Sequence, residues 1–248
     1  MLEYERTDRC RMEFLQRSLD DETAVPCGRC DSCAGAWYPV GVVDDAAVTA
    51  ERAIDRVGVP VEPRAQWPVG VADRLGVRGN IAVTERALEG RALARLTDLG
   101  WGNALREVFA AGAPDAPVTP AMLAGCVRVL AQWGWDERPS AVVAVPSRRR
   151  PLLVDSLARG IADVGRLPYA GALGLVDGGP TGEPGGSSAF RLAAVWQRFD
   201  ASDLTLPPGP VLLVDDLVDS RWTITVAARE LRIASGSPVL PLALALRG

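Results

Sequence analysis

The chain has 248 residues, of which 48% are hydrophobic, and its formal net charge is −4. A chain of this length and composition can bury one large core or two modest ones. It contains no histidine, and all 27 of its basic residues are arginine. These two absences exclude a serine–histidine–aspartate triad, histidine metal ligands, lysine Schiff-base chemistry and a lysine-bearing Walker A loop within this sequence.

The sequence also lacks the features that place a protein in a membrane. No stretch reaches the roughly 18 uninterrupted apolar residues that span a bilayer, and residues 1–10 are charged where a signal peptide has an apolar segment. We therefore expect a cytoplasmic protein with no membrane partner. In the cytoplasm, cysteines more often bind metal or lie buried as thiols than form disulfides.

The amino-terminal half of the chain has patterns of small helices and short strands. Residues 8–19 carry apolar side chains at helical spacing and predict a helix, which leads into a cysteine-rich series of turns. Further helices are predicted at residues 44–57, 87–98 and 103–110, and a short strand at 80–83. This mixture is typical of a winged-helix-like α+β module over residues 37–115, although other small α+β packings have the same periodicity.

The remainder of the chain is organised differently. A stretch rich in Ala, Pro and Gly predicts a domain boundary near residues 111–118. After it, predicted helices at 119–135, 151–164, 188–199 and 223–234 alternate with apolar strands at 141–145, 169–176, 211–214 and 239–246. This alternation favours a mostly parallel sheet covered by helices on both faces, with functional loops at the carboxyl ends of its strands. The predicted fold class is α/β, with domains at residues 1–36, 37–115 and 116–248.

Four of the cysteines form the pattern C-x16-C-x2-C-x2-C, and they are Cys10, Cys27, Cys30 and Cys33. Four thiolates with two tight intervals match the tetrahedral coordination of Zn²⁺, and Gly28 permits the sharp turn between two of them. An iron–sulfur cluster uses the same ligands and is the chemical competitor. Because four protein ligands close the coordination sphere, the metal would be structural. The remaining cysteine, Cys126, falls in an apolar helical run, which is typical of a core thiol.

The residues around these cysteines carry a family resemblance. The string CRMEFLQRSLDD followed by CGRCDSC resembles the zinc-binding subdomain that follows the motor in RecQ-family DNA helicases. The match includes Arg11, Leu15, Gly28 and Asp31 and covers residues 1–35. It implies that the chain is the carboxyl-terminal part of an ATP-dependent 3′–5′ helicase of DNA repair. Upstream motor domains would then be its partners, and DNA would be bound through the parent helicase.

The charge distribution gives no independent support for DNA binding, because no region of the sequence is strongly basic. Aromatic residues interleaved with arginines, at Trp37, Tyr38, Trp67 and Trp101, could stack on bases while the arginines meet phosphates. In the alternative interpretation the tryptophans belong to a core and the arginines to a solvated face. We expect DNA binding by this chain alone to be weak and sensitive to salt.

A second chemical motif is the string VLLVDDLVDSRWTIT at residues 211–225. A buried strand is predicted to end in Asp215 and Asp216, and a loop with Asp219 and Ser220 leads to a helix near Thr223. Backbone N–H groups at a helix start bind anions, and paired carboxylates accept hydrogen bonds from sugar hydroxyls or bind Mg²⁺ through water. The motif therefore predicts a sugar-phosphate site. The alternative is that the two acids merely cap the loop.

The same string resembles the phosphoribosyl-diphosphate (PRPP) loop of type I phosphoribosyltransferases, and AVVAVPSRRRPLLVDSLARGIA resembles the first strand, pyrophosphate loop and helix of that fold. The likeness spans residues 119–248 and is greatest to the competence-protein-like branch. It implies that Asp215 and Asp216 contact ribose hydroxyls, with Mg²⁺ bound alongside PRPP. Asp219 would be a catalytic base, and the 5′-phosphate would be held by Ser220, Arg221, Trp222 and Thr223.

Arg221 stands where that family has glycine. A left-handed backbone at an arginine costs roughly 1–2 kcal/mol, so we expect binding to be kept and turnover to be impaired. The leading interpretation is an accessory region of a RecQ-like helicase with a non-catalytic domain that binds a phosphoribosyl compound or phosphate. One alternative is a PRPP-dependent transferase acting on a nucleobase, with a structural zinc module. Another is a sensing domain that binds PRPP or a nucleotide and reports to the motor.

Overall fold

A computed structural model describes residues 2–36, 58–181 and 186–247. The chain divides into two compact units, Met1–Ile54 and Asp55–Gly248. The described part of the first unit contains three short helices, α1 (Leu2–Arg6), α2 (Arg11–Ser18) and α3 (Asp31–Ala34). Helix α2 lies within the helix predicted at residues 8–19, whereas the helix predicted at 44–57 lies outside the described residues.

Local hydrogen bonds explain the bounds of α2. The carbonyl of Cys10 accepts the N–H of Phe14 at 2.9 Å, and its sulfur accepts the N–H of Glu13 at 3.4 Å. Cys10 is therefore the N-cap of the helix as well as a candidate ligand. The ring of Phe14 lies 6.0 Å from that of Tyr4, which joins α2 to α1.

The described part of the second unit contains eight strands and six α-helices. The strands are β1 (Val59–Val61), β2 (Gly90–Arg95), β3 (Ala141–Ala144), β4 (Tyr169–Ala172), β5 (Gly174–Leu175), β6 (Phe199–Asp200), β7 (Val211–Val218) and β8 (Val239–Leu246). The helices are α4 (Ala72–Leu75), α5 (Trp101–Val108), α6 (Pro120–Ala131), α7 (Pro151–Gly165), α8 (Ser188–Val195) and α9 (Trp222–Ser235). A 3₁₀ turn follows β5 at Val176–Gly178.

Six of the strands form one sheet in the order β1-β2-β8-β7-β3-β4, in which only β1 is antiparallel to its neighbour. Strands β5 and β6 form a separate antiparallel pair. The structure thus confirms the predicted α/β class and its mostly parallel sheet. No helix of the described residues is both long enough and apolar enough to cross a bilayer.

Alternate residues of β7 supply the two cores of the sheet, because successive side chains of a strand point to opposite faces. Leu212 and Val214 pack with α5, α6 and α7 on one face, in a cluster that includes Leu105, Met122 and Leu157. Val211 and Leu213 pack with α8 and α9 on the other face, in a cluster that includes Trp67, Leu192 and Leu231. Cys126 is fully buried in the first cluster, which confirms the prediction of a core thiol.

The range predicted as a helix at residues 87–98 contains strand β2 instead. Ala92, Leu93 and Ala94 are buried there between β1 and β8. A Cβ at Gly90 would lie 2.6 Å from the carbonyl oxygen of Pro241, so the first residue of this strand has room only for glycine beside β8. Alanine and leucine favour helices in isolation, but pairing on both edges overrides that preference.

The described part of residues 37–115 does not form a separate winged-helix-like module. Strands β1 and β2 belong to the same sheet as β3 and β8, so the predicted boundary near residues 111–118 is a connection between α5 and α6 within one unit. At residues 80–83 the structure has only an isolated bridge, between Gln66 and Asn80. Periodicity could not reveal this arrangement, because the pairing of β2 with β8 joins residues far apart in the chain.

Candidate functional site

The four cysteines of the amino-terminal unit converge. The sulfurs of Cys10, Cys27, Cys30 and Cys33 all lie within 4.8 Å of one another. Cys10 begins α2, Cys27 and Cys30 flank a turn in which Gly28 has φ +70°, and Cys33 lies in α3. The structure thus brings together all four predicted ligands, and this group could hold a metal ion.

Backbone N–H groups surround the sulfurs. Cys27 N–H donates to the sulfur of Cys10 at 3.1 Å, and Cys30 N–H donates to that of Cys27 at 3.3 Å. The bond from Cys27, with a second from Glu13, lowers the pKa of Cys10 to about 6. A backbone hydrogen bond from Arg11 lowers the pKa of Cys30, while sharing a proton with Cys30 raises the pKa of Cys33 to about 12. The site favours thiolates at Cys10 and Cys30, and thiolates are the form that binds metal.

A salt bridge between Arg11 and Asp31 connects the starts of α2 and α3. Both residues belong to the RecQ-like string, and each is next to a cysteine of the group. The ion pair therefore helps to hold Cys10 beside Cys30, whose sulfurs are 3.9 Å apart.

The second site lies at the carboxyl edge of the parallel sheet. Strands β3 and β7 are neighbours in the sheet. The strand next to β3 on its other side is β4, and the strand next to β7 on its other side is β8, so the chain leads from β3 and from β7 in opposite directions across the sheet. In open α/β sheets, ligands bind outside the carboxyl ends of the strands at such a switch point. The loop after β3 contributes Ser147, and the end of β7 contributes Asp216. The Ser147 hydroxyl donates to Oδ2 of Asp216 at 3.0 Å.

Asp215 and Asp216 lie inside β7 rather than after it, because pairing with β8 continues as far as Val218 opposite Leu246. Asp215 is 4% exposed, and burial raises its pKa well above 3.8, with a further rise from the charge of Asp216. Burial also raises the pKa of Asp216, against the lowering effects of the Ser147 hydroxyl, the Leu217 N–H and the Arg150 charge. Two adjacent carboxylates that are buried or half-buried are therefore stabilised either when one of them is protonated or when a cation or a hydroxyl donor lies beside them.

Two arginines from distant elements fix the loop that follows β7. Arg191 of α8 lies with its Nη1 3.3 Å from Oδ1 of Asp219. Arg64, which follows β1, donates from Nε at 3.2 Å and from Nη2 at 2.8 Å to the carbonyl of Ser220. Asp219, the predicted catalytic base, is thus paired with a cation.

Arg221 has a left-handed backbone, with φ +69° and ψ −3°, and is the N-cap of α9. Its Nη1 donates to the carbonyl of Glu62 at 3.2 Å and lies 3.7 Å from Oε2 of the same residue. The backbone conformation is the left-handed one that favours glycine, so the strain expected at this arginine is present. Thr223, half-buried, is the second residue of the helix.

The side chain of Trp222, predicted to help hold a phosphate, is 1% exposed and packs in the core between the sheet and α9. Its ring stacks on that of Trp67, with centroids 6.1 Å apart, and the guanidinium of Arg64 lies 4.7 Å above it. Only the backbone N–H of Trp222 belongs to the loop, where it lies 3.5 Å from the Ser220 hydroxyl. For Trp67 the core interpretation is correct, since it is 8% exposed. Trp37 and Tyr38 lie outside the described residues.

Sequence reasoning placed Ser147 and Arg150 in a string that resembles a pyrophosphate loop but gave neither residue a role of its own. It grouped Arg64 with arginines that could meet phosphates of DNA and did not predict its contact with Ser220, 156 positions away. Arg191 was missed.

No protein-family model matches the chain, and no curated protein is significantly similar to it. The RecQ-like and phosphoribosyltransferase-like resemblances therefore depend on the quoted residues alone.

Proposed function

We propose that the Asp55–Gly248 unit binds a 5-phosphoribosyl compound or phosphate at the carboxyl edge between β3 and β7, with little or no transferase turnover. We also propose that the amino-terminal unit holds one structural Zn²⁺ and that the whole chain is an accessory region of a RecQ-like DNA helicase. The observation that carries the proposal is the convergence of Ser147, Asp216 and the start of α9 at the switch point of the sheet.

The donor set suits a single zinc ion. Thiolates at about 2.3 Å from a tetrahedral zinc lie roughly 3.8 Å apart, and the sulfurs of Cys10 and Cys30 are 3.9 Å apart. In an iron–sulfur cluster at least two of the four cysteines ligate different irons, which holds their sulfurs farther apart than one ion does, whereas all four sulfurs here lie within 4.8 Å of one another. Cys10, Cys27, Cys30 and Cys33 would hold the zinc, which would supply folding energy rather than reaction chemistry.

The start of α9 supplies donors for a phosphate. Among the described residues, the backbone N–H groups of Arg221, Thr223 and Ile224 have no hydrogen-bond acceptor. They add to the positive end of the helix dipole. The half-buried carboxyl of Asp216 lies in the strand that leads to this point, where a hydroxyl of a phosphorylated ribose would reach it, whereas the carboxyl of Asp215 is buried. Mg²⁺ bound with PRPP would further favour their ionised forms.

Two contacts support binding without efficient transfer. The carboxylate of Asp219 is already engaged in an ion pair with Arg191, so it is not free to approach a nucleobase. The loop contains an arginine with side-chain contacts to Glu62 in place of a bare glycine backbone. Displacement of the reacting carbon by about 1 Å would cost on the order of 100-fold in rate.

Calorimetry with PRPP and Mg²⁺, together with a pyrophosphate-release assay across the nucleobases, tests this function. We expect binding and little or no pyrophosphate release. Robust release would support the alternative transferase, and the absence of both PRPP and phosphate binding would contradict the proposed site.

The helicase assignment is supported by the RecQ-like string and by the convergence of its four cysteines. It has its own test in the reading frame upstream of Met1. Helicase motifs there would support it, and a different upstream domain would contradict it without affecting the phosphate site.

A further inference from the structure

We infer that Cys30 and Cys33 form a peroxide-sensitive dithiol, whose oxidation to a disulfide releases zinc from the amino-terminal unit. This inference rests on the proposed zinc site and goes beyond it, because it assigns a reversible modification to two of the four ligands. Three features of the unit support it, namely the unequal exposure of the cysteines, the position of Cys30 and Cys33 in one helical turn, and the small buried core.

The four cysteines differ in their access to solvent. Cys10 is buried, Cys27 and Cys30 are partly buried, and Cys33 is exposed. The sulfur of Cys10 also accepts two backbone hydrogen bonds, from Glu13 at 3.4 Å and from Cys27 at 3.1 Å, which make it a weaker nucleophile. Oxidation of cysteine follows thiolate character and exposure. A small oxidant in solution therefore reaches the sulfur of Cys33 more readily than that of Cys10.

Cys30 and Cys33 belong to the same helical turn. Cys30 is the N-cap of α3 and Cys33 is the third residue of that helix, and the N–H of Cys33 donates to the carbonyl of Cys30 at 2.9 Å. Side chains at these two positions meet in helix capping boxes. The two sulfurs lie within 4.8 Å of each other, whereas a disulfide bond is about 2.05 Å long. Rotation of the side chains can therefore bring the sulfurs together while the turn is kept.

Cys10 is a competing partner for Cys30, because the sulfurs of these two residues are 3.9 Å apart. To reach bonding distance, the Cys10 sulfur would have to give up its bonds from Glu13 and Cys27, the first of which caps α2. Cys33 lies in a four-residue helix with no buried side chain, so it can move at a lower cost. These contacts favour Cys33 as the partner of Cys30.

Hydrogen peroxide is the simplest oxidant of the required class. Both cysteines are thiolates while they bind zinc. The Cys33 thiolate attacks one peroxide oxygen, the O–O bond breaks and hydroxide leaves, which gives a sulfenic acid. The Cys30 thiolate then attacks that sulfur and displaces a second hydroxide, so that the S–S bond forms. The two sulfurs together lose two electrons, the peroxide gains them, and two protons from solvent convert both hydroxides to water.

Loss of two ligands should unfold the amino-terminal unit. Only Cys10 and Cys27 would remain as thiolates, and two thiolates leave a tetrahedral zinc site half empty. Among the described residues of this unit, the buried apolar side chains are those of Cys10 and Ala24. The unit therefore has little core to replace the folding free energy that the metal supplies. A dithiol reductant, together with zinc, should restore the unit.

The experiment is oxidation of the full zinc-loaded chain with hydrogen peroxide, followed by measurement of released zinc and by peptide mapping. A colorimetric chelator measures the zinc, and free thiols are alkylated under denaturing conditions before digestion. Trypsin cuts after arginine and leaves Cys30 and Cys33 together in the peptide of residues 30–52, apart from the other cysteines. We expect this peptide to lose two hydrogens without a partner peptide, and zinc release to rise in proportion to its oxidation.

The variants are Cys33→His and a matched control, Cys126→Ser. Three cysteines and one histidine also bind zinc tetrahedrally, but histidine cannot form the disulfide. We expect Cys33→His to release zinc about fivefold more slowly than the wild type or slower still, because its exposed thiolate is gone. Cys126→Ser removes a fully buried thiol outside the tetracysteine group and should release zinc at the wild-type rate. If Cys33→His does not hold zinc, the peptide map of the wild type decides.

The outcomes separate the dithiol from the zinc site. A wild-type chain that binds no zinc contradicts the proposed zinc site and the release together. A chain that holds zinc but is oxidised through Cys10 or Cys27, or only to a sulfinic acid at Cys33, overturns the dithiol and leaves the zinc site standing. Zinc that stays bound after the disulfide has formed overturns the release, as do equal release rates in Cys33→His and the wild type. Recovery of zinc binding after dithiothreitol and added zinc supports a reversible disulfide.

Discussion

The Ser147 hydroxyl donates to Oδ2 of Asp216 at 3.0 Å and accepts the backbone N–H of Arg150 at 3.1 Å. These two bonds connect the end of β7, the loop after β3 and the start of α7. The bond to Asp216 joins residues 69 positions apart and stabilises the ionised carboxyl, which burial disfavours. Ser147 is therefore the side chain that links the acid pair to the loop that follows β3.

We expect Ser147→Ala to lower the free energy of unfolding by about 1–2 kcal/mol and to weaken Mg²⁺-dependent PRPP binding. Loss of the hydroxyl leaves a half-buried carboxyl without its side-chain donor and raises the pKa of Asp216 further. Urea unfolding and calorimetry measure the two effects. Ser202→Ala is the control, since Ser202 donates to Asp200 at 2.8 Å on an exposed surface. Equal effects of the two substitutions on PRPP binding would contradict a role for Ser147.

Asp216→Asn should weaken Mg²⁺-dependent PRPP binding without unfolding the protein. The amide keeps the size of the side chain and its bond to Ser147 but lacks the negative charge that favours a cation. Calorimetry with and without Mg²⁺ checks this expectation. The magnesium dependence should be reduced in the variant, and an unchanged dependence would show that Asp216 does not face the ligand.

Asp215→Asn should stabilise the protein at neutral pH. Burial raises the pKa of Asp215 in the folded chain above 3.8, so the folded state holds the proton longer than the unfolded state does. The free energy of unfolding therefore falls as pH rises from 3.8 towards the folded pKa. The asparagine variant does not titrate at this position, so its free energy of unfolding should exceed that of the wild type by an amount that grows with pH.

Unfolding measured between pH 4 and pH 8 tests the effect of Asp215. Asp200→Asn is the control with the opposite sign, because bonds from the Ser202 backbone and hydroxyl lower the pKa of Asp200. That carboxyl stabilises the fold above its unfolded pKa and loses this effect as pH falls. Parallel stability curves for wild type and Asp215→Asn would contradict the buried, uncharged character of Asp215.

The purified chain should contain about one equivalent of zinc and no iron. Cys27→Ser should release the zinc and unfold the amino-terminal unit, while the thermal transition of the α/β unit remains. Cys126→Ser is the control, because it replaces a fully buried thiol outside the tetracysteine group and should keep the metal. Elemental analysis and circular dichroism measure both outcomes. Less than about half an equivalent of zinc would refute the assignment.

The parts of the fold that the sequence predicts well are those with a strong local signal. Residues 239–246 are a continuous apolar run, and β8 occupies the same residues. The prediction for β7 ended at residue 214 because two acids follow it, yet pairing with β8 continues the strand through them. Strand β2 was missed because Ala92, Leu93 and Ala94 favour a helix locally and become a strand only between two partners.

The residues of the candidate sites also differ in whether a local sequence signal predicts them. The cysteine spacing and the acidic string identify their residues directly, since each set is short and chemically unusual. The contacts of Arg64 and Arg191 with the loop depend on how β1 and α8 pack, and no spacing in the sequence encodes that packing. Trp222 is next to the acidic string but packs into the core, because the first turn of α9 points that side chain towards Trp67.

The role of the Arg221 side chain in the loop can be tested by substitution, because Arg166 is an arginine with a similar backbone conformation outside the site. Both arginines have left-handed backbones, Arg166 at the end of α7 with φ +52° and Arg221 at the start of α9 with φ +69°. The side chain of Arg166 is exposed and makes no hydrogen bond or ion pair within the described residues, whereas that of Arg221 contacts Glu62. Replacement by glycine removes the same backbone strain at both positions, but only at Arg221 does it also remove contacts.

We therefore expect Arg166→Gly to raise the free energy of unfolding by up to about 1 kcal/mol, since relief of left-handed strain exceeds the added entropy of the unfolded chain. Arg221→Gly should stabilise less, or destabilise slightly, because the bonds to Glu62 are lost. It should also weaken ribose 5-phosphate binding, and any gain in pyrophosphate release would show that Arg221 is what limits transfer. Chemical denaturation, calorimetry and the release assay measure these effects. Tighter phosphate binding by Arg221→Gly would mean that the arginine obstructs the site rather than completing it.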